Sequence, residues 1–167
     1  HSAYAYAASK SLTLENLARW AKVKGIDLLA SADFTHPDWF AELDQKLMPD
    51  GGGLYQHDGV HFVLGTEVSC VYKQAGRQRR VHILLFAPDL ETVTRLNLAL
   101  SRHGNLKPDG RPTLTMSARD LTDLTLDINP NCIVLPAHVW TPWYGVFGSK
   151  SGFDSLGECF LDMTPAI

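Results

Sequence analysis

Residues 60–87, VHFVLGTEVSCVYKQAGRQRRVHILLFA, decide how this chain is read. Val60–Tyr72 and Arg79–Ala87 are apolar runs rich in β-branched and aromatic residues, the composition of strands. A turn around Ala75-Gly76 joins them. Glu67 stands inside the first run and His82 inside the second. Carboxylates and imidazoles inside buried strands are costly unless they are paired or hold a cation.

The same reading extends to both sides. Leu12–Lys24 repeats Leu14, Leu17, Ala18 and Ala21 at helical spacing, with Thr13 as N-cap and Gly25 as stop. Ile26–Ala32 is a short apolar run ending at Asp33, as in a buried parallel strand. Pro37–Leu47 reads as a helix with proline in its first turn, and residues 49–53 (PDGGG) as a flexible loop. Asp89–His103 and Ser117–Leu126 read as helices, separated by the loop 108–112 (PDGRP). Cys132–Ala137 is another strand and runs straight into His138; Gly152–Phe160 closes the chain as a helix. With no repeat or linker, residues 1–167 read as one domain. Strand–helix alternation indicates an α/β architecture with a parallel sheet and function where strands end.

The composition narrows the class. The 167 residues are 45% hydrophobic and 20% charged, with a formal net charge of −3. Disorder and a disulfide-stapled scaffold are excluded on these proportions. No run approaches the roughly 20 apolar residues of a membrane span. The three cysteines, Cys70, Cys132 and Cys159, are far apart and form no CxxC, as expected of small buried residues in a reducing compartment. With no basic-then-apolar leader, the expectation is a cytoplasmic protein. The start at His1 and the end at Pro165-Ala166-Ile167 read as the ends of an excerpt.

Four apolar segments each deliver one metal-capable group: Asp33, Glu67, His82 and His138, with His1 at the head of the first loop. Imidazole nitrogen and carboxylate oxygen are ligands that zinc, manganese and iron accept. Singly, each has an ordinary role: a hydrogen-bonded core histidine, a glutamate paired with arginine, a turn aspartate. Together they point to a metal site.

The phrases at 1–37 (HSAYAYAASKSLTLENLARWAKVKGIDLLASADFTHP), TEVSC, RRVHILLFAPD, GNLKPDGRP and PAHVWTPWYGVFGSKSGFDSLGECF together resemble the PHP (polymerase and histidinol phosphatase) superfamily. Within it they are most similar to the endonuclease Q-like branch, some bacterial members of which carry a helicase label. The resemblance implies a distorted (β/α)7 barrel with two or three divalent metal ions, zinc, manganese or iron, at the C-terminal rim of its strands. It makes His1 the second member of a His-x-His pair, Glu67 a metal-bridging glutamate, and His82 and His138 further ligands. Glu67, His82 and His138 are then the catalytic centre. Asp33 takes the place of the aspartate in the family's Thr-Asp-His phrase, but Phe34 stands where its histidine belongs. Either His36 substitutes or that ligand position is altered. Ala5–Ser9 hold no histidine, and the family's late Asp-x-His has no counterpart before Ile167. A barrel of this kind needs roughly 200 or more residues. The chain is thus expected to be an incomplete N-terminal portion, inactive alone, with exposed edge strands that pair with a second copy.

The implied chemistry is metal-assisted phosphodiester hydrolysis. The leading expectation is a DNA endonuclease acting at deaminated or damaged bases. The alternatives are a phosphoesterase for a small phosphorylated metabolite and a catalytically degenerate nucleic-acid-binding module. Neither a GxxxxGK[ST] loop nor a G-x-S-x-G elbow occurs, so neither a helicase motor nor a serine hydrolase is supported. Lys73, Arg77, Arg79 and Arg80 form a basic run that either holds phosphates or is a solvated turn. Trp140, Trp143, Tyr144 and Phe147 lie on a glycine-containing loop and either stack a base or plug the core. Lys150, between two serines, suits a phosphate.

Overall fold

A computed structural model describes residues 1–167. The elements run α1 (Leu14–Lys24), β1 (Leu28–Ala30), α2 (Pro37–Lys46), β2 (Met48–Gly51), β3 (Leu54–His57), β4 (Val60–Gln74), β5 (Arg77–Ala87), α3 (Leu90–Leu100), β6 (Thr113–Leu114), α4 (Ala118–Ile128), β7 (Ile133–Pro136) and α5 (Leu156–Phe160), followed by a 3₁₀ helix (Leu161–Ala166). The four longer helices start where side-chain caps satisfy their free N–H groups: Thr13, His36, Asp89 and Ser117. No helix is long and apolar enough to cross a membrane.

The sheet is built around β4. Its first residues pair with β1 in parallel and with β3 antiparallel. Its remainder pairs antiparallel with β5 over the whole of that strand, and in parallel with the short β6. β7 adds to β5 antiparallel, and β2 to β3 antiparallel. The (β/α)7 barrel expected from the resemblance is therefore not what the chain forms. The seven-stranded sheet is mostly antiparallel, and it does not close, since β7 pairs with β5 alone and β1 with β4 alone.

The physical reason lies at the turn. Gln74 pairs with Arg77, leaving only Ala75 and Gly76 to reverse the chain, at φ 50° and 74°. A two-residue turn with both central residues left-handed returns the second strand antiparallel; a parallel partner needs a crossover of a dozen or more residues. Residues 49–53, read above as a loop, belong to a second hairpin that pairs β2 with β3.

Alternation along β4 and β5 sorts the two faces. Phe62, Leu64, Val68 and Cys70 on β4, with Val81, Ile83 and Leu85 on β5, are fully buried and join Leu14, Trp39, Leu43, Leu96 and Leu121 from the helices in one core. The opposite face carries Glu67, Ser69, Val71 and Lys73 on β4, and Leu84, His82, Arg80 and Gln78 across from them on β5. Helical packing consumes the first face, and the second is left for chemistry.

Candidate metal centre

Glu67 and His82 meet because of strand register. Ser69 lies opposite His82 and Leu84 opposite Glu67, so the two side chains are diagonal neighbours on one face of an antiparallel pair. Both lie within their strands, where the two apolar runs of the sequence placed them. Glu67 Oε1 is 2.8 Å from His82 Nδ1. His138 arrives from the other side of β5. Its neighbour Ala137 donates a backbone hydrogen bond to the His82 carbonyl at 2.9 Å, and His138 itself turns at φ 29°. Its Nε2 then stands 2.9 Å from His82 Nδ1 and 3.4 Å from Glu67 Oε1.

The His138 tautomer follows from its neighbours. Nδ1 lies 2.6 Å from the Thr141 hydroxyl oxygen, whose own proton is directed at the carbonyls of His138 and Trp143. Nδ1 therefore carries a proton and donates it to Thr141, leaving the Nε2 lone pair facing Glu67 and His82. The sequence reading gave Thr141 no role of its own, although it lies in the quoted phrase at 136–160.

The other Glu67 oxygen faces a different neighbour. Oε2 is 3.3 Å from His1 Nε2, and His1 Nδ1 is 2.9 Å from Asp33 Oδ1. Asp33 is fully buried, accepts the Ser2 backbone N–H, and sits with Ala32 in left-handed backbone at φ 47° and 55°. Left-handed backbone is uncommon for non-glycine residues, and here it accompanies an Asp33 carboxylate bound by both His1 and the Ser2 N–H. His1, Asp33, Glu67, Gly65, Thr66 and Leu84 help line a cavity of about 240 Å³ on the open face.

Charge follows this geometry. Hydrogen bonds to Asp33 and then Glu67 raise the His1 imidazole from 6.5 to about 10, against the opposing pull of burial. Burial works to raise the Glu67 carboxyl, yet the hydrogen bonds from His1 and His82 outweigh it and hold Glu67 well below the usual carboxylate range. Burial lowers His82, only partly offset by Glu67, which favours its neutral imidazole.

This donor set fits a divalent cation. Ligand atoms around a tetrahedral zinc at about 2.0–2.1 Å stand about 3.3 Å apart, and the triad separations bracket that spacing. Glu67, His82 and His138 offer one carboxylate oxygen and two imidazole nitrogens converging on a single point. Turning its two oxygens to separate partners also gives Glu67 the arrangement of a carboxylate between two centres.

The remaining sequence candidates are dispersed. His36 caps α2, its Nδ1 accepting from Trp39 N at 3.5 Å and its ring stacking 4.5 Å from Tyr4, with no side-chain bond to the triad. Phe34 is fully buried in the core. Tyr144 lies over His82, ring centroids 4.2 Å apart, and its carbonyl accepts the His82 N–H at 2.8 Å. Arg80 shares the triad face and lies 5.7 Å from the ring of Trp143, which is 53% exposed. Trp140 is 78% exposed and stacks on Phe147. Lys150 is exposed on the same loop. Arg79 points to the opposite face, where its guanidinium donates to the Gly152 carbonyl and covers Phe153 at 4.2 Å. The alternation of β5 thus separates two adjacent arginines that the sequence presented as one basic run.

A further cation, Arg111, stands 3.5 Å from Glu67 Oε1 and was absent from the sequence candidates. In the sequence it stands in the phrase GNLKPDGRP, just after the turn-forming Asp109-Gly110, with nothing in its spacing that ties it to Glu67.

No family model matches the chain. It is 25% identical over 143 residues to an uncharacterized protein of Methanocaldococcus jannaschii, covering 85% of this chain and 16% of that protein. The crystal structure of a lesion-specific endonuclease Q from Pyrococcus furiosus superimposes with a TM-score of 0.84 and 31% identity, covering 97% of this chain and 38% of that one. A complex of endonuclease Q with a 27-mer duplex substrate, an abasic lesion at its active site, matches with the same TM-score and coverage at 32% identity. The chain spans about two fifths of the length of these solved relatives, and over nearly all of its own residues it is similar to part of endonuclease Q.

Proposed function

We propose that this chain supplies the hydrolytic centre of a metal-dependent DNA endonuclease of PHP type, cutting beside deaminated or otherwise damaged bases. The observation that carries the reading is the convergence of Glu67, His82 and His138 on one point of the sheet's open face, in a chain similar to a lesion-specific endonuclease. The DNA-bound relative supports DNA as the partner.

In this reading Glu67, His82 and His138 hold one divalent cation, and His1 with the second Glu67 oxygen holds another. The whole set takes two or three ions of zinc, manganese or iron. Such ions polarise a phosphate oxygen and bring the pKa of water toward about 7. Asp33 orients His1 through its Nδ1, and Thr141 orients His138 through its Nδ1. His36 stays with α2 unless it turns inward as an added ligand. Hydrolysis adds one water to phosphorus, breaks one P–O bond to a sugar oxygen, and delivers a proton to that oxygen as it leaves. Arg80 with Trp143, the exposed Trp140, Tyr144 and Lys150 line the approach for a strand and an unstacked base. Arg79 acts indirectly by fastening the loop at Gly152. The protein is proposed to be cytoplasmic, and the unpaired edges of β1 and β7 are proposed to meet a second copy.

The test is cleavage, by the whole protein that carries this chain, of end-labelled duplexes containing uracil, hypoxanthine or an abasic site, beside undamaged duplex, with divalent metal or chelator. Nicking only at the lesion and only with metal is the expected result. Cleavage of small phosphomonoesters but not DNA would establish the metabolite phosphoesterase instead. Tight DNA binding without cleavage under any metal would establish a binding module.

A further inference from the structure

Arg111 stands against the triad with most of its hydrogen-bonding capacity unused. Its Nη1 reaches Glu67 Oε1 at 3.5 Å, the outer limit of a hydrogen bond, and Glu67 is the only side-chain partner of its guanidinium. A guanidinium carries five N–H donors in a fixed fork. The others make no bond with the chain, and the side chain is 30% exposed toward the open face. Arg119, by contrast, is taken up by Asp120, Asp123 and Asp162, and Arg79 by Gly152 and Phe153.

The backbone beneath Arg111 is fixed. Asp109 Oδ1 accepts the N–H groups of Tyr6 and Arg111 at 3.0 and 3.2 Å, and Gly110 N–H donates to the Tyr4 carbonyl at 3.2 Å. Gly110 passes so close to Asp33 that a Cβ there would stand 2.5 Å from Oδ2. The aspartate that orients His1 thereby also sets the level from which Arg111 reaches the triad. A cation beside Glu67 opposes a metal ion on that carboxylate, so an ion-pair role alone would work against the site. An anion seated over both removes the conflict.

We propose that Arg111 is a substrate-binding residue that holds the non-bridging oxygens of a phosphate group seated over Glu67, His82 and His138. The proposal rests on reading those three residues as a metal centre. The planar fork of arginine matches two phosphate oxygens, which the point charge of lysine does not.

The experiment measures inorganic phosphate binding to the zinc-loaded protein by calorimetry, and zinc affinity by chelator competition, for wild type, Arg111→Met and Arg111→Lys. Arg111→Met is expected to weaken phosphate binding about 10- to 100-fold, the worth of charged hydrogen bonds, while zinc affinity holds or rises. Arg111→Lys should recover only part of the loss, and added guanidinium ion should restore phosphate binding to Arg111→Met. Unchanged phosphate binding in Arg111→Met, or parallel loss of zinc and phosphate, would overturn the proposal and leave Arg111 a counter-ion of Glu67. Failure of the wild type to take up zinc would overturn the metal centre and the proposal with it. Zinc uptake with Arg111-dependent phosphate binding, but no DNA cleavage, would uphold the proposal and remove only the endonuclease reading.

Discussion

Glu67 Oε1 and His82 Nδ1 lie 2.8 Å apart because their strands are antiparallel neighbours and the two residues sit one diagonal step from each other. Glu67 is held ionised by hydrogen bonds first from His1 and then from His82, and Glu67 in turn partly offsets the burial that lowers His82.

Glu67→Gln keeps the shape of the side chain and removes its charge. Metal affinity is expected to fall by more than the ~10–100-fold that disturbing an outer partner costs, and turnover to disappear. Far-ultraviolet circular dichroism should be unchanged. Elemental analysis of the purified variant reads the metal content directly.

His1 gives the metal-free protein a defined pH response. Its folded pKa is raised from 6.5 to about 10, so the protonated form is the one the fold favours. The stabilisation it contributes is present in full below about pH 6.5 and is lost as pH rises toward about 10. A cation must displace that proton, so apparent metal affinity should rise over the same interval. Urea midpoints of chelator-treated wild type and His1→Gln across this range check the first point: the gap between them should close as pH rises.

Thr141→Val removes the acceptor that holds the His138 Nδ1 proton. His138 is then free to turn or change tautomer, and metal affinity should drop about 10- to 100-fold. Thr141→Ser, which retains the hydroxyl, should stay near wild type. Competition against a chromophoric chelator separates the two.

Ser151→Ala tests how the aromatic loop is fastened. The Ser151 hydroxyl donates to the Arg80 carbonyl at 3.0 Å and accepts the Tyr144 N–H at 3.1 Å, and the residue is buried. Leaving both partners unmet should cost about 1–3 kcal/mol, measurable by urea denaturation. Tryptophan emission should also shift, because Trp143 adjoins Tyr144 and lies against Arg80.

Much of the local structure is legible in the amino-acid sequence. Thr13, Asp89 and Ser117 cap the helices whose beginnings they marked, and Gly25 ends α1 at φ 67°. The Ala75-Gly76 turn was legible too, yet its consequence was outweighed by strand–helix alternation and the resemblance, which both argued for a parallel barrel. A two-residue reversal admits only an antiparallel neighbour, and β7 then joined β5 antiparallel as well. Glu67 and His82 stood out because an ionisable group in an apolar strand demands a partner. Arg111 did not, because a lone arginine in a polar loop resembles any solvated cation.

While β2, β3 and β6 were not legible in it, the sequence by itself determined β1, β4, β5 and β7, the caps Thr13, Asp89 and Ser117, the tight reversal at 75–76 and the identity of the groups able to hold a metal. These depend on neighbours a few residues away, through backbone sterics, capping hydrogen bonds and hydrophobic alternation. Tertiary structure alone decided that the sheet stays open, that Arg80 shares the triad face while Arg79 does not, and that Arg111 reaches Glu67 across 44 positions of chain. Those outcomes depend on strand register and on the packing of Gly110 against Asp33, and neither is encoded in the spacing of residues along one segment.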